Sequence, residues 1–436
     1  NMQTLNERFR ALGLLGLLVL FLFVPYFKLG GMTVFTGMFT FLIPTMIVLA
    51  RMPNVFMGWS RTITALVAVL VLILVSYALN LVVNDSIYRG IDLKGLKVGV
   101  ANIFVFFSCL WIYYAILRHY TTEKIVYLVY VAILANALLS LAIFLSLDFE
   151  SVFYGVIGVN EKYFDYPFRR PPGLMYDGFS YLSSLLGLAF TIGVILYFES
   201  RRFLGFFGLW KFLVMQAVLL IAIIINGRSG LVVCFIGVLV YFLVVRFNNV
   251  KMSLSSLLRL AVLLVTAIAI GTVFYYSLVD SEYGWYFEWA FKFISDFLSG
   301  DEISDSSVAE IGENHMFLPE SIFDVFFGRN DFNADPLINT YHSDLGYVQM
   351  IHGFGGVPVA LLLMLCVFVI AECIKVYKKQ PMLGAIVIIF IFEFLILNFK
   401  DFYFVSPYPH FIAFYLFLIA LFDRVESGGA EEVGIK

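Results

Sequence analysis

Charged residues are scarce in this 436-residue chain. Lys, Arg, Asp and Glu make up only 14% of it, while hydrophobic residues make up 61% and the mean hydropathy is +0.93. Soluble domains carry about 25% charged residues, so this balance excludes an ordinary soluble domain. Apolar runs recur throughout, and a run of about twenty residues matches the ~30 Å hydrocarbon core of a bilayer. The composition therefore predicts a polytopic membrane protein.

The chain also has few cysteines and only a small net charge. The four cysteines lie within or beside apolar segments: Cys109, Cys234, Cys366 and Cys373. None falls in a polar loop, so no disulfide framework is implied and they are interpreted as small hydrophobic residues. A formal net charge of -3 argues neither for nor against nucleic acid. No nucleic-acid partner, metal or other cofactor is predicted.

The apolar runs predict about twelve transmembrane helices. They are placed near 11–29, 32–50, 62–83, 98–116, 125–147, 178–197, 208–226, 230–246, 258–279, 345–371, 383–399 and 410–423. All spans are expected to be helical because the bilayer offers no partner for free backbone groups. The spans at 208–226 and 230–246 are joined only by "GRSG", and a re-entrant pair is the open alternative there.

The bias of Lys and Arg predicts the orientation of these spans. With the N-terminus in the cytoplasm, the short inner segments hold most of the Lys and Arg residues, so both termini are expected inside. Helices one to nine then occupy 1–279, with an outer loop at 148–177. A large outer loop covers 280–341, helices ten to twelve cover 342–423, and 424–436 is a cytoplasmic tail.

The large outer loop contains an amphipathic pattern in "GWYFEWAFKFISDFLSG". Apolar and aromatic residues fall on one helical face at spacings of three and four: Tyr286, Trp289, Ala290, Phe293, Ile294 and Phe297. This pattern is typical of a helix lying in the headgroup plane. A helix packed on the protein's own outer surface is the alternative.

Two arginine motifs lie on the outer side in this topology. Arg169 and Arg170, in "YFDYPFRRPPGLMYDG", are flanked by prolines, and an arginine fork suits phosphate oxygens. Contact with lipid headgroups is the alternative. Arg228, in "INGRSGLV", lies between two apolar spans, with Gly227 and Gly230 allowing close backbone approach. It is predicted to face a polar cavity and bind an anion, against the alternative of snorkelling to the surface.

The stretch "YHSDLGYVQMIHGFGG" places ionisable groups where a late apolar run begins. His342, with an ordinary pKa of about 6.5, suits proton removal at neutral pH, and a simple helix cap is the alternative. Asp344 either orients it or titrates on its own. The following glycines let a neighbour or a bulky ligand approach: Gly346, Gly353, Gly355 and Gly356. Glu393, inside another span, is predicted to pair with an arginine or carry a proton, and His410 is interpreted as a loop residue.

Together these motifs resemble the bacterial O-antigen ligase and Wzy-type polymerase superfamily. The stretch "HSDLGYVQMIHGFGG" fits a pattern of histidine, serine or asparagine, nine residues, glycine, two residues and glycine, through His342, Ser343, Gly353 and Gly356. "NGRSG" and "RRPPG" are similar to the arginine motifs of that superfamily. The resemblance covers roughly 165–372 by motif and the whole chain by layout.

The resemblance implies an all-α, GT-C-like fold in the bacterial inner membrane, with the active site facing the periplasm. It implies metal-independent glycosyl transfer with undecaprenyl diphosphate as the leaving group. Arg169, Arg170 and Arg228 would bind the diphosphate, and His342, helped by Asp344, would take the proton of the acceptor hydroxyl. The large loop would close over the glycans, and the glycines would leave room for a polyprenyl chain. Supporting or substrate-binding roles fall to Tyr341, Ser343, Tyr347, Gly353 and Gly356.

The form of the histidine motif favours a polymerase over a ligase. Asp344, Gly346 and Tyr347 resemble polymerases of O-antigen, capsule or exopolysaccharide, which move the growing glycan to the next lipid-linked repeat unit. A ligase, which transfers glycan to lipid A core, is the first alternative. A lipid-linked oligosaccharide transporter is the alternative outside enzymes. The partners implied are a lipid-linked donor and acceptor, membrane lipids and a chain-length regulator protein.

Overall fold

A computed structural model describes most of the chain. The described residues are 2–29, 32–50, 61–84, 94–160, 162–165, 169–176, 178–200, 208–246, 284, 318–319, 321–329, 345–399 and 408–426. They group into two compact units. Unit 1 draws on 1–40 and 119–295, and unit 2 draws on 41–118 and 296–436.

Helices dominate both units. In chain order the α-helices and strands are α1 Met2–Phe23, β1 Tyr26–Leu29, β2 Met32–Phe35, α2 Ile43–Ala50, α3 Arg61–Asn84, α4 Lys94–Ala115, α5 Thr122–Leu145, α6 Leu147–Val156, β3 Ile157–Gly158, α7 Lys162–Asp165, α8 Phe179–Glu199, α9 Gly208–Asn226, α10 Ser229–Val240, α11 Ile322–Phe327, α12 Gly346–Phe354, α13 Gly356–Val376, α14 Pro381–Leu397 and α15 Tyr408–Glu426. Short π-helices cover Met38–Leu42 and Tyr241–Arg246, and a 3₁₀ turn covers Leu117–His119.

Several helices have the length and composition of membrane spans. Within the described ranges, six qualify: Arg61–Ala78, Thr122–Leu145, Phe179–Glu199, Gly208–Asn226, Gly356–Val376 and Tyr408–Glu426. Shorter apolar helices lie at Leu12–Phe23, Phe39–Ala50, Gly99–Ala115, Ser229–Leu243 and Pro381–Leu397. These helices indicate a membrane-embedded, mainly helical protein. The predicted span at 258–279 and the predicted amphipathic helix lie outside the described residues, apart from Gly284 at the start of the latter.

A small sheet replaces the ends of two predicted spans. The antiparallel strands β1 and β2 pair Tyr26 with Phe35, and β1 also pairs Tyr26 with Gly158 of β3. The expectation of purely helical spans at 11–29 and 32–50 is therefore wrong here. Aromatic and β-branched residues favour strands, so an apolar segment of this composition suits a hairpin as well as a helix. The sheet contacts the chain that follows Arg169 and Arg170, because the ring centroids of Tyr26 and Tyr176 lie 4.3 Å apart.

The predicted outer loop at 148–177 contains the helix α6. Ser146 caps it, since its hydroxyl accepts a hydrogen bond from the Phe149 N–H at 3.2 Å. Asp148 and Glu150 occupy the first turn, where the positive end of the helix dipole favours acidic residues. This local chemistry brings Glu150 to the end of α5.

In unit 2 the predicted span at 345–371 is broken at Gly355. Gly355 has a φ of +91°, which side-chain-bearing residues rarely adopt, and it separates α12 from α13. The backbone of α11 and Gly328 fills the space beside it. A Cβ on Gly328 would lie 2.6 Å from Gly355 N, and one on Gly356 would lie 3.0 Å from Val325 O. At Gly355 and Gly356, the space expected for a polyprenyl chain is thus taken by protein backbone.

Gly355→Ala is expected to destabilise unit 2. The positive φ costs an alanine about 1–3 kcal/mol, and the methyl group would also overlap the backbone of residues 326–328. The matched control is Gly16→Ala in α1, where an added Cβ meets nothing within 4 Å. Thermal unfolding of the detergent-solubilised variants measures the difference. Equal unfolding temperatures for both variants would contradict this account of the break.

Candidate functional site

Four helix ends of unit 1 meet at one place, which we call the arginine end. It consists of the C-termini of α5 and α9, the N-termini of α8 and α10, and the segment 169–176. The hydrogen bonds described below join these pieces. Buried polar side chains concentrate here within otherwise apolar helices: Asn136, Ser140, Ser183, Ser184, Asn226 and Ser229.

Ser140 connects the two arginine motifs. Its hydroxyl donates to the carbonyl of Pro171 at 2.6 Å and accepts from Asn226 Nδ2 at 3.1 Å. Pro171 directly follows Arg170, and Asn226 stands two residues before Arg228. The segments that carry these two arginines therefore lie at the same end of the helices of unit 1.

Asn136 holds the chain that follows Arg170. Its Oδ1 accepts from Leu174 N–H at 2.8 Å, and its Nδ2 donates to the carbonyl of Pro172 at 3.4 Å. A turn closes between them, because Met175 N–H donates to the same Pro172 carbonyl at 3.2 Å. The backbone of this segment is therefore fixed by side chains of α5, as an irregular segment beside apolar helices requires.

Ser183 of α8 holds the turn that carries Arg228. Its hydroxyl donates to the Gly227 carbonyl and accepts from Gly230 N–H at 3.0 Å. A Cβ on Gly230 would lie 2.6 Å from Ser183 Oγ, so close packing of α8 against α10 accounts for this glycine. The close backbone approach predicted at the glycines flanking Arg228 is confirmed at Gly230. Arg228 is half-buried at the N-cap of α10, where the helix dipole favours anions.

Arg169 is held by protein acceptors. Its Nη1 donates to Phe144 O at 2.9 Å, and its Nη2 donates to Ile143 O at 2.7 Å and to Glu150 Oε2 at 2.6 Å. The last carbonyls of an α-helix lack partners inside the helix, so this guanidinium satisfies the end of α5 and ties it to α6. Such contacts suit a residue that positions the neighbouring Arg170.

Glu150 has a second donor in Tyr163, whose hydroxyl lies 2.5 Å from Glu150 Oε1. Burial, together with the hydrogen bond and charge of Glu150, raises the pKa of Tyr163 above its ordinary value, so the phenol keeps its proton at neutral pH. Glu150 thus balances the charge of Arg169. The anion-binding roles expected of Arg170 and Arg228 stay predictions.

Arg169→Ala is expected to lower the free energy of unfolding by about 2–3 kcal/mol, because it leaves the largely buried Glu150 without its guanidinium. Adding Glu150→Gln should restore part of this loss. The control is Arg118→Ala, since Arg118 is half-exposed beside Asp423 and such pairs contribute about 0–1 kcal/mol. Thermal unfolding in detergent compares the variants. If Arg169→Ala were as stable as Arg118→Ala, Arg169 would not be needed to tie α5 to α6.

Tyr347, predicted to support the substrate, anchors the start of α12 in unit 2. Its hydroxyl donates to Leu395 O at 2.7 Å, and its N–H donates to Asn398 O at 3.2 Å. Its ring contacts that of Phe399 edge-on at 4.8 Å. The C-terminal end of α14 therefore sets the position of this turn.

The remaining predicted residues divide into two groups. Gly353 and Gly356 flank the break at Gly355 and adjoin the backbone of α11 and Gly328. The candidate catalytic segment lies outside the described residues, so its roles stay predictions: Tyr341, His342, Ser343 and Asp344.

Sequence reasoning missed the partner of Glu393. Its Oε1 lies 3.4 Å from His410 Nε2, and the two side chains are 1% and 0% exposed. His410 is therefore a buried residue of α15, and its interpretation as a loop residue is wrong. The predicted arginine partner is a histidine instead. The signal available in the sequence was the position of His410 at the very start of an apolar run.

The apolar helices indicate a membrane-embedded protein, and the segments that carry Arg170 and Arg228 lie at one end of a helical unit. No protein-family model matches the chain, and no curated protein matches it either. The likeness to the O-antigen superfamily thus rests on the sequence motifs.

Proposed function

We propose that the protein is a polysaccharide repeat-unit polymerase. It transfers the growing glycan from undecaprenyl diphosphate to the next lipid-linked repeat unit, in the synthesis of O-antigen, capsule or exopolysaccharide. The observation that carries the proposal is the Ser140 bridge, which gathers the segments of Arg170 and Arg228. The histidine motif supports the same reaction.

The arginine end supplies what a diphosphate leaving group needs. The bond between the anomeric carbon and the diphosphate oxygen breaks, and the diphosphate leaves with the electron pair. Preorganised donors stabilise the charge that develops there, and such stabilisation usually contributes more to catalysis than any other effect. In this proposal Arg170 and Arg228 bind the diphosphate, helped by the N-terminus of α10. Arg169 positions Arg170 through Ile143, Phe144 and Glu150.

The proton of the acceptor hydroxyl passes to His342 as the new glycosidic bond forms. Asp344 orients the imidazole, and Tyr347 fixes the chain five residues further along through its bonds to α14. An imidazole suits this role because its ordinary pKa lies near neutral pH.

The proposed setting is the bacterial inner membrane. Both termini face the cytoplasm, and the arginine end faces the periplasm. The bias of Lys and Arg toward the inner segments supports this orientation.

The test is to incubate the purified protein in detergent with a defined undecaprenyl-diphosphate-linked repeat unit and to resolve the products by length. A ladder of repeat units, formed without any ion gradient, is the expected result. Glycan that appears only on added lipid A core would assign the ligase reaction instead. Recovery of unreacted repeat unit under both conditions would overturn the proposal.

A transporter of lipid-linked oligosaccharide is the second candidate, and the buried Glu393–His410 pair favours it. Proton relays in transporters are built from carboxylates and histidines within the membrane. Reconstituted liposomes distinguish the two functions. A transporter would move the intact lipid-linked repeat unit across the bilayer in response to a pH gradient, without lengthening it.

A further inference from the structure

The helix α6 turns a row of apolar side chains away from the protein. Phe149, Val152 and Val156 follow one another at spacings of three and four residues, and they are 39%, 70% and 55% exposed. Such spacing places them on one helical face. We call these three residues the apolar stripe. A soluble surface seldom leaves adjoining large apolar side chains uncovered, so the stripe needs a partner.

A second face of α6 is suited to water. Asp148, Ser151 and Gly155 are exposed and also lie three and four residues apart. At 3.6 residues per turn, this face lies about 100° round the helix from the apolar stripe. From residue 148 onward, the exposed surface of α6 is therefore divided lengthwise into an apolar part and a polar part. Helices that lie in the boundary of a bilayer have this division.

The third face of α6 is held by unit 1. Glu150 Oε2 accepts a hydrogen bond from Arg169 Nη2 at 2.6 Å, and Lys28 Nζ donates to the carbonyl of Tyr154 at 2.9 Å. The residue after α6, Ile157, begins β3, which pairs with β1. These contacts fix the rotation of α6, so the fold itself directs the apolar stripe outward.

The length of α5 places α6 at one boundary of the bilayer. Lys124 is exposed near the start of α5, and a charged side chain is costly inside the hydrocarbon core. At 1.5 Å per residue, the ~30 Å core ends about twenty residues later, near Phe144. Ser146, in extended backbone with φ −138° and ψ 112°, then redirects the chain before α6 begins. Helix α6 therefore begins where acyl chains give way to headgroups.

The neighbouring surface of α5 is apolar and exposed as well. Leu138 and Leu145 are 51% and 76% exposed at the end of this candidate span, so the apolar stripe continues a surface that suits lipid. Aromatic side chains, which are typical of membrane–water interfaces, gather on α6 and α7 with ring centroids 5.1–5.9 Å apart: Phe149, Phe153, Tyr154, Tyr163 and Phe164.

We propose that α6 is an in-plane membrane helix and that phospholipid is the partner of its apolar stripe. The stripe lies about 5–10 Å into the boundary between headgroups and acyl chains, while Asp148 and Ser151 face water. Since α6 also carries Glu150, the partner of Arg169, it keeps the arginine end at the depth of lipid phosphates.

Nitroxide labels on single cysteines test this placement in the full-length protein, reconstituted in phosphatidylcholine liposomes. Val152→Cys and Ser151→Cys are matched, because the two residues are adjacent and exposed but lie on different faces. The Val152 label should collide mainly with oxygen, which concentrates in hydrocarbon, and the Ser151 label mainly with a water-soluble nickel complex. Leu138→Cys supplies a deeper reference. The native cysteines are buried, so the unsubstituted protein serves as the blank.

Two outcomes of this measurement would overturn the proposal. Equal access of the nickel complex to the Val152 and Ser151 labels would place the whole of α6 in water. A Val152 label that is shielded from both oxygen and nickel would show that protein covers the stripe, either a second copy or another part of this chain.

A second measurement needs no substitution, and so it does not depend on the folding of a variant. Phosphatidylcholine with a diazirine on its acyl chain is added to liposomes of the unmodified protein, and illumination is followed by peptide mass spectrometry. Lipid adducts are expected on the apolar stripe as well as on Leu138 and Leu145. Adducts on Leu138 with none on the stripe would contradict the in-plane helix. Neither measurement requires polymerase activity, so both remain valid if the proposed function fails.

Discussion

His342→Ala is expected to reduce chain extension by about 10²–10⁴-fold, the usual contribution of a general base. The acceptor hydroxyl then has no group to receive its proton, while the lipid-linked donor still binds. The measurement is the rate of ladder formation from a defined lipid-linked repeat unit. On the acid side, the wild-type rate should rise with pH as His342 loses its proton, and this rise should disappear from the variant.

The matched control for this variant is His119→Ala. His119 is exposed in the 3₁₀ turn Leu117–His119, so its removal tests the loss of a histidine at a site with no proposed role. It should retain wild-type product lengths. Long polymer from His342→Ala, at the same membrane abundance, would rule out the base.

Arg228→Ala is expected to lower the turnover rate by about 10²–10³-fold, as the loss of one preorganised charge-stabilising donor commonly does. Arg228→Lys retains the charge but loses the planar fork that matches phosphate oxygens, so we expect an intermediate rate. The fold should survive both changes, because Ser183 holds the turn through the backbone of Gly227 and Gly230. Single-turnover rates with a defined lipid-linked donor measure the effect.

Arg118→Ala is the charge-matched control for the Arg228 variants, since Arg118 lies half-exposed beside Asp423 in unit 2. It should leave the single-turnover rate unchanged. Full activity in Arg228→Lys would reduce Arg228 to a point charge. Full activity in Arg228→Ala would remove it from diphosphate binding altogether.

Hydropathy predicted the helical membrane character of the chain but not where helices give way to other structure. Phe27 and Val34 are as apolar as the residues of a span, yet they lie in strands. The break at Gly355 depends on backbone contact with Gly328, a residue that the sequence analysis placed in the large outer loop. Such contacts join separate parts of the chain, and a window along the sequence contains no signal for them.

The candidate site could be predicted only in part, because its contacts also join separate parts of the chain. The two arginine motifs were predicted on the same side of the membrane, so they could be expected to lie together. The hydrogen bonds of Ser140 bring their segments together. Ser140 itself gives no signal, since a lone serine in an apolar run is common. Arg169 was grouped with Arg170 because the two are adjacent, although only the structure reveals its contacts to Ile143 and Glu150.

The small sheet has a consequence for biosynthesis. Strand β1 pairs with β3 across about 130 residues of chain, so a ribosome adding about 5–20 residues per second needs roughly 10 s between making the two. During that interval one edge of β1 has no partner of its own, and open strand edges invite foreign pairing. Nascent chains stalled before residue 157 should consequently depend on insertion machinery to shield the first hairpin.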